Sequence, residues 1–231
     1  MGSEKGKGRI VLNSKKMLSG IYGITAQEYS LGRTNREVVG LMLAAGIRII
    51  QYREKDLSMR ERYRECLALA PMVHAAGGLF IVDDHPDLAL AVEADGVHIG
   101  QEDLPLPVVR RLMGPHMIIG VSTHSPEQAL EAVAGGADYI GVGPIYPTST
   151  KKDVVPAVGL SYLDWVVSHV DLPFVAIGGI KEHNLAEVAA HGARCAALVT
   201  EIVGAPDIGA KVARLRTILD HHRPNDEGKI N

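Results

Sequence analysis

Two cysteines, Cys66 and Cys195, both in apolar segments, are too few and too separated for a disulfide scaffold or a thiolate metal site. They read as small buried hydrophobes in a reducing compartment. There is no surplus of positive charge: a net charge of −3 and a pI near 6.4 argue against a nucleic-acid or anionic-membrane surface, so any anion site must be local. No apolar run reaches the roughly 18 to 20 residues of a membrane span, and the N-terminus shows no signal-peptide core. The expected location is therefore cytoplasmic. No linker or shift of composition divides the chain. The expected layout is a polar lead-in over residues 1–9, one folded domain over 10–221 and an unstructured tail over 222–231.

What is present is a regular alternation. Eight β-branched or apolar runs recur, at Gly20 to Ile24, Ile47 to Tyr52, Leu79 to Val82, Gly96 to Ile99, Met117 to Val121, Ala137 to Val142, Phe174 to Ile177 and Ala196 to Val199. Helix-like segments separate them, opened by Thr34, by Ser58 with Glu61 three residues on, and by Ser125 before Pro126 and Glu127. Gly46, Gly77, Gly135 and Gly192 close others. Strands continuous in Val, Ile and Leu between helices indicate a parallel sheet covered on its outer face. At 231 residues this is the size of a single-domain (β/α)8 TIM barrel. An open doubly wound sheet is the alternative, but the segment after Ile24 lacks its glycine fingerprint.

In such a barrel the active site lies where strands run out into loops, and polar residues gather there. Gln51, Arg53 and Lys55 share one side of an extended strand, which puts two cations and an amide over the mouth for an anion; a charged strand end facing water, with Arg53 paired to a nearby carboxylate, is the other reading. Asp83 and Asp84 end the third strand and Asp103 follows the fourth. Neighbouring strands are about 5 Å apart, so Asp84 and Asp103 can meet at the rim. Two carboxylates about 4 Å apart repel by roughly 4 kcal/mol at an effective dielectric of 20, which a shared Mg²⁺ removes. His98 has no second histidine at a ligand spacing and reads as a satisfied barrel residue. Ser122 and His124 lack the glycine elbow of a hydrolase nucleophile and read as helix entry and ligand contact, with an acid or base role for His124 left open. Gly178 and Gly179 after strand seven, and Val199 and Thr200 after strand eight, occupy the recurring phosphate site of these barrels; a simple tight turn is the other reading of the glycines. The strand ending at Gly143 opens into a long loop with Thr148, Thr150, Lys151 and Lys152, read as an active-site cover.

The motifs QYREKD at 51–56, ADGVHIGQEDLP at 94–105, GVSTHS at 120–125, GADYIGVGPIYPTSTKKD at 136–153 and AIGGI at 176–180 resemble those of the thiamine phosphate synthase family, over about Tyr22 to Ile202. The resemblance implies a transferase joining a hydroxymethylpyrimidine diphosphate to a thiazole phosphate, with pyrophosphate leaving. It implies Arg53, Lys55 and Lys151 on the diphosphate and Asp84 and Asp103 on Mg²⁺. Gln51 and Ser122 would touch the pyrimidine or its leaving group, and Thr148 and Thr150 the thiazole. Gly178, Gly179, Val199 and Thr200 would take the thiazole phosphate. Arg53, Lys55, Lys151 and Ser122 are the expected catalytic set, and a homo-oligomer is compatible with the family. Two positions depart from the pattern: Asp83 stands where Asn is common, and Thr200 where Ser is. An ionised Asp cannot donate to a phosphate, which puts a direct contact at 83 in doubt. A thiazole tautomerase, for which His124 is well placed, and a non-catalytic thiamine-phosphate-binding paralogue are the alternatives.

Overall fold

The computed structural model describes residues 18–148, 150 and 155–222. Nine strand segments, all parallel, run as β1 (Gly20–Ile21), β2 (Gly23–Ile24), β3 (Ile49–Tyr52), β4 (Leu79–Asp83), β5 (Gly96–Ile99), β6 (Ile118–Thr123), β7 (Tyr139–Val142), β8 (Phe174–Ile177) and β9 (Cys195–Ala197). The ladder runs β1-β9-β8-β7-β6-β5-β4-β3-β2. Its two ends are β1 and β2, separated only by Tyr22, whose amide donates to the Ala196 carbonyl at 3.0 Å. The first predicted strand thus pairs with the last at its start and with the second at its end, and the sheet closes into an eight-stranded (β/α)8 barrel.

Around it lie α1 (Asn35–Ala44), α2 (Met59–Ala75), α3 (Pro86–Ala91), α4 (Leu106–Met113), α5 (Pro126–Ala134), α6 (Gly159–His169), α7 (Leu185–Ala190), α8 (Val199–Val203) and α9 (Ile208–His221). Thr34 with Glu37, and Ser58 with Glu61, form reciprocal capping boxes that start α1 and α2, each cap contributing about 1 kcal/mol. Ser125 accepts from the Gln128 amide to start α5. Alternation along each strand sorts side chains into two cores. The outward set, including Ile50, Phe80, Val82, Val97, Ile119, Ile140 and Ala176, packs with Val38, Met42, Leu69, Val73, Leu163 and Val212 from the helices. The inward set, Tyr22, Ile24, Ile49, Leu79, Ile81, Ile118, Tyr139, Val175, Cys195 and Ala197, fills the barrel. Both cysteines are buried and free.

One expectation needs correction. The last strand stops at Ala197, and Val199 and Thr200 begin a short helix instead of ending a strand. Gly135 caps the end of α5 as expected, in the right-handed region, and Gly136 beyond it is left-handed at φ +80°. A short 3-10 turn, Gln27–Tyr29, follows β2. Among the described residues no helix is long and apolar enough to cross a membrane.

Candidate active site

The carboxyl ends of the strands surround a cavity of about 1080 Å³, counting its open mouth. Ile24, Val155, Val175, Ile177 and Ala197 give it apolar walls, and Gln51, Arg53, Asp83, Ser122, His124, Thr148, Thr150 and Thr200 supply polar groups. A flat organic ring fits the walls, and anionic groups fit the rim.

On one side β3 and β4 assemble a chain of alternating charges. The Arg53 Nε lies 3.5 Å from Asp83 Oδ2, and the Lys55 Nζ lies 3.3 Å from the same oxygen and also contacts Asp84. Burial works against the charge on Lys55, but Asp83 and Asp84 outweigh it and hold the ammonium above its ordinary range. Thr25 fixes this end of β3, accepting from the Arg53 amide at 2.8 Å. Asp84 itself sits at φ +62°, a left-handed conformation that Asp tolerates better than most residues and that turns its carboxylate to the rim. Asp103 accepts from the Gly100 amide at 2.7 Å. Burial raises its pKa, the Gly100 amide opposes this, and Asp84 raises it further. Two carboxylates in contact are a suitable donor pair for a hard divalent cation, which would remove their repulsion. Mg²⁺ commonly takes only one or two protein carboxylates, its other positions going to water and phosphate oxygens. Among the described residues no group of three or more His, Cys, Asp or Glu side chains is placed to bind a metal.

The cavity floor is polar although it lies inside the barrel. The Gln51 Nε2 donates to the Tyr22 hydroxyl at 3.3 Å, and that hydroxyl lies 2.8 Å from the Tyr139 hydroxyl. The Tyr139 hydroxyl lies 3.0 Å from His98 Nδ1, and His98 Nε2 lies 2.9 Å from Ser122 Oγ. His98 is thus a satisfied barrel histidine, as its isolation in the sequence indicates. Gly120 makes this possible: a Cβ there would lie 2.1 Å from the Tyr139 ring and 2.5 Å from His98 Nδ1. Burial holds both tyrosine pKa values far above the ordinary phenol range.

Opposite the charged chain, the turn after β8 packs tightly under the loop after β7. Gly178 at φ +95° would set a Cβ 2.4 Å from Pro144, and Gly179 at φ +65° would set one 2.6 Å from the Pro147 carbonyl oxygen. Both positions therefore require glycine, and the tight-turn reading holds alongside the ligand-facing one. Thr200 lies beside this turn and accepts at its hydroxyl from Lys181 Nζ, at 2.7 Å. Lys181 is also 3.6 Å from Glu201, and Lys211 ties Glu201 to Glu182 at 2.8 and 2.6 Å. Arg33 clamps the far end of α8 by donating to the carbonyls of Val203 and Ala205, at 2.6 and 2.8 Å. His124 donates from Nδ1 to the Gly143 carbonyl at 2.5 Å, leaving its Nε2 as an acceptor at the cavity wall.

Most residues singled out in the sequence thus line one cavity: Gln51, Arg53, Asp83, Ser122, Thr148, Thr150, Gly178, Val199 and Thr200. Lys55 does not join Gln51 and Arg53 there, because β3 ends at Tyr52 and strict alternation lapses beyond it. Lys55 instead lines a neighbouring crevice with Arg62, Asp83, Asp84 and His85. Gly179 is tucked beneath Tyr146 and Pro147. Lys151 and Lys152 of the proposed cover lie outside the described residues, while Thr148, Thr150 and Val155 of the same loop line the cavity. Tyr22, Tyr139 and Lys181 escaped sequence reasoning. The tyrosines sit in apolar runs and pass for core, and Lys181 follows the glycines as an ordinary solvated helix entry.

Known proteins resemble the chain over most of its length. Residues 21–202 match the family profile described as thiamine monophosphate synthase. A thiamine-phosphate synthase of Pelotomaculum thermopropionicum is 64% identical over 199 residues, 86% of this chain and 91% of that relative. One from Lawsonia intracellularis is 53% identical over 209 residues, 90% of this chain and 96% of the relative. Among solved structures, thiamine phosphate pyrophosphorylase from Pyrococcus furiosus superposes with a TM-score of 0.81 at 37% identity, covering 90% of this chain and 98% of that one. With the same barrel, the same span and this degree of identity, the chain belongs to the thiamine monophosphate synthase family.

Proposed function

We propose that the chain joins 4-amino-2-methyl-5-hydroxymethylpyrimidine diphosphate to 4-methyl-5-(2-phosphoethyl)thiazole, giving thiamine phosphate and pyrophosphate. The observation that carries this reading is one apolar cavity with anion-binding groups at two separate ends. Arg53 stands at one end, with Lys55 in the adjoining crevice across Asp83, and the Gly178 turn with Thr200 at the other. Two substrates, one a diphosphate and one a monophosphate, need that arrangement.

The reaction is dissociative. The bond from the pyrimidine methylene carbon to the diphosphate oxygen breaks with both electrons going to oxygen, leaving a resonance-stabilised cation on the ring. The thiazole nitrogen then donates its lone pair to that carbon. No proton is removed, so no strong base is required. What the site must do is lower the energy of the departing pyrophosphate, and groups aimed at developing charge are the usual means. Arg53 and Lys55, with Lys151, hold the diphosphate oxygens. Asp84 and Asp103 are the residues that would hold Mg²⁺, which supplies further neutralisation of the leaving group when bound. Gln51 and Ser122 orient the pyrimidine, Thr148 and Thr150 flank the thiazole, and amides at Gly178 and Gly179 with Val199 and Thr200 take its phosphate. The apolar walls keep water from capturing the cation.

The test is direct. Purified protein, both substrates and Mg²⁺ should yield thiamine phosphate and an equal amount of pyrophosphate, and chelation should suppress both. No product above a protein-free control sinks the reading, and isomerisation of a thiazole precursor alone would point to a tautomerase.

A further inference from the structure

The floor of the cavity carries more information than a set of contacts, because its hydrogen bonds can be assigned a direction. Tyr22 is fully buried and accepts from the Gln51 amide nitrogen. Its own proton needs an acceptor, and the Tyr139 oxygen lies 2.8 Å away. With Gln51 donating at its end, the direction that gives every group a partner has Tyr139 receiving from Tyr22 and donating to His98 Nδ1, 3.0 Å away. A histidine accepting at Nδ1 carries its proton on Nε2, and that nitrogen donates to Ser122 Oγ at 2.9 Å. Neither phenol loses its proton at working pH, since burial holds both pKa values high.

We infer that Tyr22, Tyr139 and His98 form a one-way hydrogen-bond relay that fixes what the two ends of the floor offer a ligand, an acceptor at Gln51 Oε1 and a donor at the Ser122 hydroxyl. This rests on the proposed function for the ligand's identity. An aminopyrimidine complements the pattern: its exocyclic amine donates, and its ring nitrogens accept. The corresponding oxopyrimidine carries a carbonyl in place of the amine and a proton on a ring nitrogen, so it meets the floor with like groups facing. Tyr22 and Tyr139 are then positioning residues that select the aminopyrimidine without touching it. A site built on paired hydrogen bonds typically rejects the mismatched analogue by about 10⁴-fold.

The experiment compares kcat/KM for the aminopyrimidine diphosphate and its oxo analogue in the wild type, Tyr139→Phe and Tyr22→Phe, each variant deleting one oxygen. In parallel, the His98 tautomer is read by nitrogen-15 NMR of histidine-labelled protein, with the resonance assigned by its loss in His98→Gln. The relay predicts selectivity of about 10⁴ in the wild type, at least a hundredfold less in both Phe variants, and an Nε2-protonated His98 that loses its fixed tautomer in Tyr139→Phe. Selectivity unchanged within about threefold in both variants, or a wild-type His98 protonated on Nδ1, overturns it. If the wild type makes no thiamine phosphate from the aminopyrimidine substrate, the functional reading fails, and the His98 tautomer still decides the relay.

Discussion

Replacing Asp83 with Asn should make the free protein less stable and its grip on pyrophosphate stronger. Asp83 is buried and faces the Arg53 guanidinium at 3.5 Å and the Lys55 ammonium at 3.3 Å. At an effective dielectric of about 20, the attraction to Arg53 alone is about 5 kcal/mol before desolvation. Lys55 is 44% exposed, so its share is screened to about 1 kcal/mol or less. The side chain of Arg53 is only 11% exposed, and stripping its counter-charge leaves a largely buried cation, which costs about 3 kcal/mol. For a chain of this length that corresponds to a fall in Tm of roughly 6 to 12 °C. The same substitution removes a negative charge from the place where the diphosphate binds, and Asn brings a donor where Asp has only acceptors. Pyrophosphate with Mg²⁺ should then bind about tenfold more tightly, and its addition should restore much of the lost Tm. Scanning fluorimetry with and without pyrophosphate, together with calorimetric titration, measures both effects. Weaker pyrophosphate binding by the variant would refute the reasoning, since it would mean that Asp83 chiefly aims Arg53 at the anion. An unchanged Tm would equally show that the buried pair contributes nothing.

Three further outcomes follow from the geometry. Lys181→Ala should raise KM for the thiazole phosphate about tenfold or more by removing a charge-assisted contact to Thr200, leaving KM for the pyrimidine diphosphate unchanged; steady-state kinetics in both substrates would expose an equal effect on the two, which would exclude this role. Gly120→Ala should lower stability by about 3 kcal/mol or more, because its methyl would have to displace the Tyr139 ring and His98; denaturant titration showing a loss under 1 kcal/mol would mean the floor is looser than described. Of the seven tyrosines, Tyr22, Tyr52, Tyr139, Tyr146 and Tyr162 all have raised pKa values, burial being the leading cause in each, and Tyr146 is pushed up to about 12. Groups raised in the folded state contribute stability that is fully present below the unfolded phenol value of about 10 and is lost as pH climbs through the folded values. The absorbance change at about 295 nm should therefore trail that of the unfolded chain as pH rises past about 10 while the far-ultraviolet signal stays native, and coincident titration curves would contradict it.

The barrel was readable because its rules are local. Each strand is a short β-branched run, and the capping pairs Thr34 with Glu37 and Ser58 with Glu61 need only three residues of context. The approach of Asp84 to Asp103 was legible too, since neighbouring parallel strands leave little choice of spacing. What was hidden depended on partners far away in the chain. Tyr22 and Tyr139 are 117 residues apart, and nothing near either one distinguishes a relay member from a core aromatic. Val199 belongs to a short helix with no side-chain cap, so its β-branched composition read as strand. Lys55 was misjudged because alternation was extended past the last strand residue, Tyr52.

Tyr22 is also the seam of the cylinder, the single residue between the segment that pairs with β9 and the one that pairs with β3. An emerging polypeptide therefore cannot seal the ring until residues near 195 have left the ribosome. The hydroxyl that links Gln51 to Tyr139 takes its place in the same event. Shortening the chain from its carboxyl end before β9 leaves the cylinder open at that seam. Assembly and competence arrive at once, at one phenol ring.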